Sequence, residues 1–180
     1  MIERPAAPAA ERLFFALWPP SSVRAQIEAF TNQLGNPRGR RMASPNLHIT
    51  LLFLGRINAG QRDALIAAAS ALHLPAFMLT LDRCGHWPRS GVLWLAPAVT
   101  PGALSDLQDS LTAGARMLDL KIDEREYLPH LSLYRDVKRV PGTLPSPRIR
   151  WPVRDFVLVR SDTHPDGAYY TVLQRWRLGG

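Results

Sequence analysis

Lysine is nearly missing from this chain, with 2 residues, Lys121 and Lys138, against 20 arginines. Neither lysine follows a glycine, so the Gly-Lys step of a phosphate-binding loop cannot form. "KIDE", residues 121 to 124, resembles the Lys-x-Asp-Gly of nucleotidyl-transferring ligases but carries Glu124 where that motif needs glycine, so ATP-dependent ligation is not expected. Cysteine is scarcer still. Cys84 stands alone, which rules out an internal disulfide and suits a reducing compartment, so the expected location is the cytoplasm. No His-x-His, no His-Glu-x-x-His and no cysteine cluster occurs, and neither a metal nor another cofactor is expected. No apolar run approaches the ~20 residues that cross a bilayer. The opening "MIERPAAPAAER" has no apolar stretch before Leu13, so neither a membrane span nor a secretory signal is expected.

What is present fits an ordinary globular domain. The 180 residues are 46% hydrophobic and 21% charged, enough for one sizeable core or two small lobes that share an interface. We read residues 1–11 as a loose tail, residues 12–180 as a single bilobal domain, and the protein as a monomer. The net charge of +7 has two readings. A GC-rich genome favours Arg, Ala, Pro and Gly codons together, whereas a phosphate-rich partner would select the fork of arginine and the field of a basic surface.

"RLFFALW", residues 12 to 18, reads as a strand stopped by Pro19 and Pro20. Ser21 or Ser22 can cap a helix whose Val23, Ile27, Phe30 and Leu34 recur at helical spacing up to Gly35. A basic loop, "GNPRGRRMASPN", leads to the strand "LHITLLFLG" and an Ala-rich helix over roughly residues 60–72. "FMLTLDRC" and "GVLWLAP" read as strands joined by the loop "GHWPRS". Leu104, Leu107, Leu111, Ala115 and Leu118 mark an amphipathic helix that Pro101 opens. "LPHLSLYRD", a Pro-rich loop over residues 141–152, and the strands "DFVLVRSDT" and "AYYTVLQRWRL" close the chain. Strands outnumber helices without strict alternation, so the expected class is α+β: bilobal, with two mainly antiparallel sheets flanking a central cleft and helices outside.

Two segments echo each other. "HITL" at 48–51 and "HLSL" at 130–133 each read His, aliphatic, hydroxyl, Leu, the second starting 82 positions after the first. Strand alternation puts His48 and Thr50 on one face and His130 and Ser132 on another, with Ile49, Leu51 and Phe53 turned to the core. If the two halves are related by an approximate twofold, the polar faces meet across a cleft. An unperturbed imidazole titrates near pH ~6.5, so one ring can be a neutral base while the other is a protonated acid. Attack of water on a phosphodiester needs that pair, with hydroxyls and an arginine on the non-bridging oxygens.

On these motifs the chain resembles the two-histidine phosphoesterase superfamily, and within it the RNA 2′,3′-cyclic phosphodiesterases, the 2′-5′ RNA ligase-like (LigT-like) branch. The likeness runs from "RLFFAL" through "NLHITLLFLG", "GVLWL" and "PHLSLYRD" to "YYTVLQRW". It implies metal-independent hydrolysis of terminal 2′,3′-cyclic phosphates on RNA, or of 2′,3′-cyclic nucleotides, to 2′-phosphates. It further implies His48 as proton donor, His130 as proton acceptor, and Thr50, Ser132 and Arg135 as phosphate ligands. Ser132 stands where threonine is commoner and keeps the hydroxyl. Strict alternation from His130 would turn Arg135 away from the cleft, so either the strand ends or bends near Tyr134 or Arg135 reaches round the rim. ATP-independent 2′-5′ ligation or cleavage at the same site is the enzymatic alternative. A non-catalytic basic RNA-binding module is the alternative of another class.

Other residues are set aside. His86 and Trp87 read as a surface loop that could border the site, His73 as a helix-end residue and His164 as a turn residue. Arg38, Arg40 and Arg41 either hold RNA phosphates beyond the reacting one or form a solvated basic loop. Phe53 lies in the right segment to stack a base, yet its parity assigns it to the core. Trp94, Trp151 and Trp176 are expected in the core or between lobes.

Overall fold

A computed structural model describes residues 10–35, 37–140, 142–164 and 167–179. In chain order the elements are β1 (Glu11–Leu17), α1 (Ser21–Gln33), β2 (Arg40–Arg41), a 3₁₀ turn at Ser44–Asn46, β3 (Ile49–Ile57), α2 (Ala59–Ser70), β4 (Phe77–Leu81), β5 (Arg83–Trp87), β6 (Val92–Ala96), α3 (Gly102–Met117), β7 (Leu131–Arg135), β8 (Ile149–Val153), β9 (Asp155–His164) and β10 (Gly167–Arg177). Strand order in the main sheet is β10-β9-β1-β3-β7-β6-β5, with β2 added beside β7, and β4 pairs β8 separately. Each of these pairings is antiparallel. The α+β class and the antiparallel sheets are as expected. The lobes are two four-stranded halves of the main sheet, joined between β3 and β7 at the single pair Ile49↔Leu131. The sheet face that carries both histidine motifs at this junction is the side where the cleft is expected.

Alternation along β1 builds both layers. Leu13, Phe15 and Leu17 enter the main core with Val23, Ile27, Leu104, Leu107 and Leu111 from the helices. Phe14 and Ala16 face the other way, into a small cluster with Val157, Val159, Trp18 and Tyr170. That second cluster lies on the face that carries His48. Among the expected helices, α1 starts at an N-cap proline, Pro20, with no side-chain bond to the first turn, so neither Ser21 nor Ser22 is the cap. By contrast Asn58 and Gln61 form a reciprocal capping box on α2, which satisfies two of the backbone N–H groups left open at a helix start.

Several boundaries differ from the sequence reading. "FMLTLDRC" divides at Asp82 into β4 and β5, which belong to different sheets. "GHWPRS" begins within β5, because Gly85 serves packing rather than a turn. A Cβ there would lie 2.2 Å from the Trp94 ring, so only glycine lets the indole lie across the strand. The Pro-rich stretch over 141–152 contains most of β8, where Pro152 stands opposite Met78. A two-stranded sheet is all edge, and an edge tolerates the missing N–H of proline. The tail expected over residues 1–11 falls mostly outside the described residues, and Glu11 is the first residue of β1, bonded to Arg62 at 2.7 Å.

Candidate active site

Register sets the two motifs against each other. With Ile49 opposite Leu131 in an antiparallel pair, one step either way puts His48 across from Ser132 and Thr50 across from His130. Each imidazole is then fixed in the same manner. His48 Nδ1–H donates to the carbonyl of Asn46 at 2.7 Å, and His130 Nδ1–H donates to the carbonyl of Leu128 at 2.8 Å. A carbonyl only accepts, so the proton sits on Nδ1 in both neutral rings and the lone pair on Nε2. The anchors are themselves held: Asn46 donates from its side chain to the carbonyl of Ala168 at 3.1 Å, and the Tyr127 hydroxyl, just before the second motif, donates to the carbonyl of Thr50 at 3.2 Å.

Three aromatic rings surround His48, and one ring meets His130. His48 stacks on Trp18, with centroids 5.4 Å apart and 9° between planes, and meets Phe14 at 5.0 Å and the edge of Tyr170 at 5.2 Å. His130 meets Trp87 at 4.6 Å, near perpendicular. Burial first, and then the charges of Arg135 and His130, lower the His48 pKa to about 4 against the pull of its backbone hydrogen bond. His130 is also lowered, first by burial and then by Arg135.

Arg135 thus acts on both rings, and a bulge explains how. Trp94 pairs Ser132, but Leu93 pairs Tyr134, so Leu133 is an extra residue in β7. The extra residue reverses the parity beyond it. Tyr134 enters the main core and Arg135 leaves on the cleft side. The strand bends, which is one of the two possibilities that the spacing left open. Gly39 lets β2 dock here, since a Cβ would lie 2.7 Å from the Arg135 carbonyl.

The same device corrects Phe53. Thr50 pairs Ala16 and Leu52 pairs Phe15, leaving Leu51 as the extra residue, and Leu54 is a second. Phe53 therefore lies opposite Phe14 on the cleft face and is 41% exposed, with the Arg12 guanidinium 4.9 Å from its ring centre. The expectation that Phe53 belongs to the core fails because alternation was counted through a bulge. His86 is likewise not a loop residue. It lies in β5 and bonds the carbonyl of Val137 at 2.9 Å through Nε2. His73 bonds the carbonyl of Ala71 at the end of α2, and His164 ends β9 against Tyr169. Arg40 pairs Asp136 and Arg41 bonds Asn32, while Arg38 is exposed. Trp151 and Trp176 are buried in the core as expected, whereas Trp94 lies against Trp87 on the cleft side. The sequence reading missed Trp18 and Tyr170, whose place beside His48 depends on how β1 and β10 cross the sheet. Among the described residues no group of three or more His, Cys, Asp or Glu is placed to hold a metal ion, and no helix is long and apolar enough to cross a membrane.

Fold and site together define an α+β protein of antiparallel sheets in which two His-x-hydroxyl motifs meet at the β3–β7 junction. The chain belongs to the 2′-5′ RNA ligase superfamily, whose family model matches residues 19–165. It is 37% identical over 171 residues to the RNA 2′,3′-cyclic phosphodiesterase of Escherichia coli (strain K12), covering 93% of this chain and 97% of that protein. It is 35% identical over 183 residues to the protein of the same name from Thermus thermophilus, covering 94% and 91%. The crystal structure of E. coli LigT complexed with 3′-AMP matches with a TM-score of 0.87 at 36% identity, over 94% of this chain and 98% of that one. The family expected from the two motifs is the family found.

Proposed function

We propose that this protein hydrolyses RNA ends carrying a 2′,3′-cyclic phosphate, opening the ring to a 2′-phosphate, without a metal and with the two motif histidines as acid and base. The observation that carries this reading is the mirrored anchoring of His48 and His130, which leaves two Nε2 atoms and two hydroxyls facing one seam. The names of the relatives support it, and the likeness to a LigT structure holding 3′-AMP supports a ribonucleotide in the cleft. We further infer a monomer working in the cytoplasm, in keeping with the single cysteine.

The chemistry follows from which proton each ring holds. His130 Nε2 takes a proton from water as the water oxygen bonds to phosphorus. His48 Nε2–H gives its proton to O3′ as the P–O3′ bond breaks, leaving a 3′-hydroxyl and a 2′-phosphate. Thr50, Ser132 and Arg135 hold the non-bridging oxygens, where charge builds in the transition state. Before substrate binds, burial keeps His48 neutral at neutral pH. The phosphodiester anion offsets that burial and the repulsion of Arg135, so His48 acquires its proton together with the substrate.

Hydrolysis of a cyclic-phosphate-ended oligoribonucleotide in EDTA tests the proposal. His48→Ala and His130→Ala should each lower kcat by about 10²- to 10⁴-fold. Absence of hydrolysis by the wild type, or hydrolysis untouched by either change, would overturn it.

A further inference from the structure

The cleft face continues beyond the histidines to an arginine pair that no part of the acid-base mechanism uses. Arg12 and Arg56 are directly opposed in the β1–β3 register, so their side chains leave the sheet on the same face. The Arg12–Phe53 contact, with Phe53 opposite Phe14 and Phe14 against His48, fixes that face as the cleft side. Like charges directly opposite in a sheet repel. Among the described residues the two carboxylates that border the same groove are engaged elsewhere, Glu11 with Arg62 and Arg160, and Asp162 with Arg160. Among the described residues neither Arg12 nor Arg56 forms an ion pair, and the one polar contact of Arg56 is a 3.4 Å bond to the carbonyl of Ala10. Both line an open groove of about 660 Å³.

We propose that Arg12 and Arg56 form a subsite for a backbone phosphate on the 5′ side of the reacting end, so that single-stranded RNA lies along the β1–β3 seam. The inference rests on the RNA-end reading above and extends it to polymer length. From Ala16, opposite Thr50, to Arg12 is four residues, about 13 Å at strand rise. Phe53 lies between them. The order along the face is therefore phosphate chemistry, exposed aromatic ring, arginine pair, which matches the alternation of base and phosphate in a single strand. Arginine forks onto phosphate oxygens, and two of them on one face can grip a phosphate from both strands of the sheet.

Comparing kcat/KM on a 2′,3′-cyclic nucleoside monophosphate with that on a trinucleotide ending in the same cyclic phosphate tests this. The wild type should prefer the trinucleotide at low salt, and Arg12→Gln with Arg56→Gln should cut that preference roughly tenfold, as loss of a charge-assisted contact implies. The dependence of log kcat/KM on log salt for the trinucleotide should flatten by about 0.7. Arg56→Gln alone, which among the described residues disturbs the Ala10 contact, should give part of the loss. Arg12→Lys with Arg56→Lys should restore most of the preference. Equal wild-type rates on both substrates, or a preference unchanged in the Gln variants, overturn the subsite and leave the hydrolysis standing. Failure of the wild type on both substrates overturns the function and the subsite together.

Discussion

Lowering the pH should weaken the fold through one ring in particular. In the unfolded chain His48 titrates near pH ~6.5, whereas in the folded protein burial among Trp18, Phe14 and Tyr170 lowers it to about 4. Above pH 6.5 the ring is neutral in both states and its contribution to stability is complete. As pH falls from 6.5 toward 4 the unfolded chain binds a proton that the folded protein refuses, and stability is lost. Below 4 both states carry the proton and the loss stops. A shift of this size amounts to at most about 3 kcal/mol, a large part of the ~5–15 kcal/mol that holds an ordinary domain together. Other groups titrate over the same range, so the useful quantity is a difference. Urea unfolding followed by tryptophan fluorescence at pH 7.5, 6.5, 5.5 and 4.5 should show the wild type losing up to about 2.5 kcal/mol more than His48→Gln, whose amide can still bond the Asn46 carbonyl. An NMR titration of the His48 ring should give a midpoint near 4, which Trp18→Ala raises by letting water reach one face. A His48 midpoint above 6, or equal pH dependence in wild type and His48→Gln, would refute the account of the cleft.

Three further outcomes check other parts of the structure. Because kcat/KM reports the free enzyme, and both rings titrate below their ordinary value, its pH profile should be bell-shaped with a maximum below pH 6.5; a profile flat from pH 5 to 9, with chemistry limiting, would count against paired imidazoles. Phe53→Ala should raise KM for a cyclic-phosphate end about tenfold, since stacking a base on a ring contributes ~1–3 kcal/mol, and an unchanged KM would mean that the exposed ring binds nothing. Gly85→Ala should cost about 1–3 kcal/mol in urea unfolding, because the new Cβ displaces the Trp94 indole; a neutral result would show that Trp94 moves freely.

The extent to which the sequence disclosed the site depended on where regular alternation held. His48 with Thr50, and His130 with Ser132, lie within one unbroken step of two residues, so their shared faces could be read from spacing alone. Phe53 and Arg135 lie beyond the extra residues Leu51 and Leu133, and for both of them counting by twos gives the wrong face. A bulge exists only against a neighbouring strand, and the neighbours of β3 and β7 come from distant parts of the chain. The same holds for β8, whose Pro152 reads as loop until β4 is seen beside it.

By itself, then, the sequence determined that two copies of a histidine-hydroxyl step occur at the starts of strands of an α+β domain, because side-chain alternation and apolar spacing are local properties of the backbone. Tertiary structure alone decided that the two copies meet at Ile49 and Leu131, that bulges turn Arg135 and Phe53 toward the cleft, and that Trp18 and Tyr170 enclose His48. Those features depend on register between strands far apart in the chain, and register is set by which side chains pack together in the finished core.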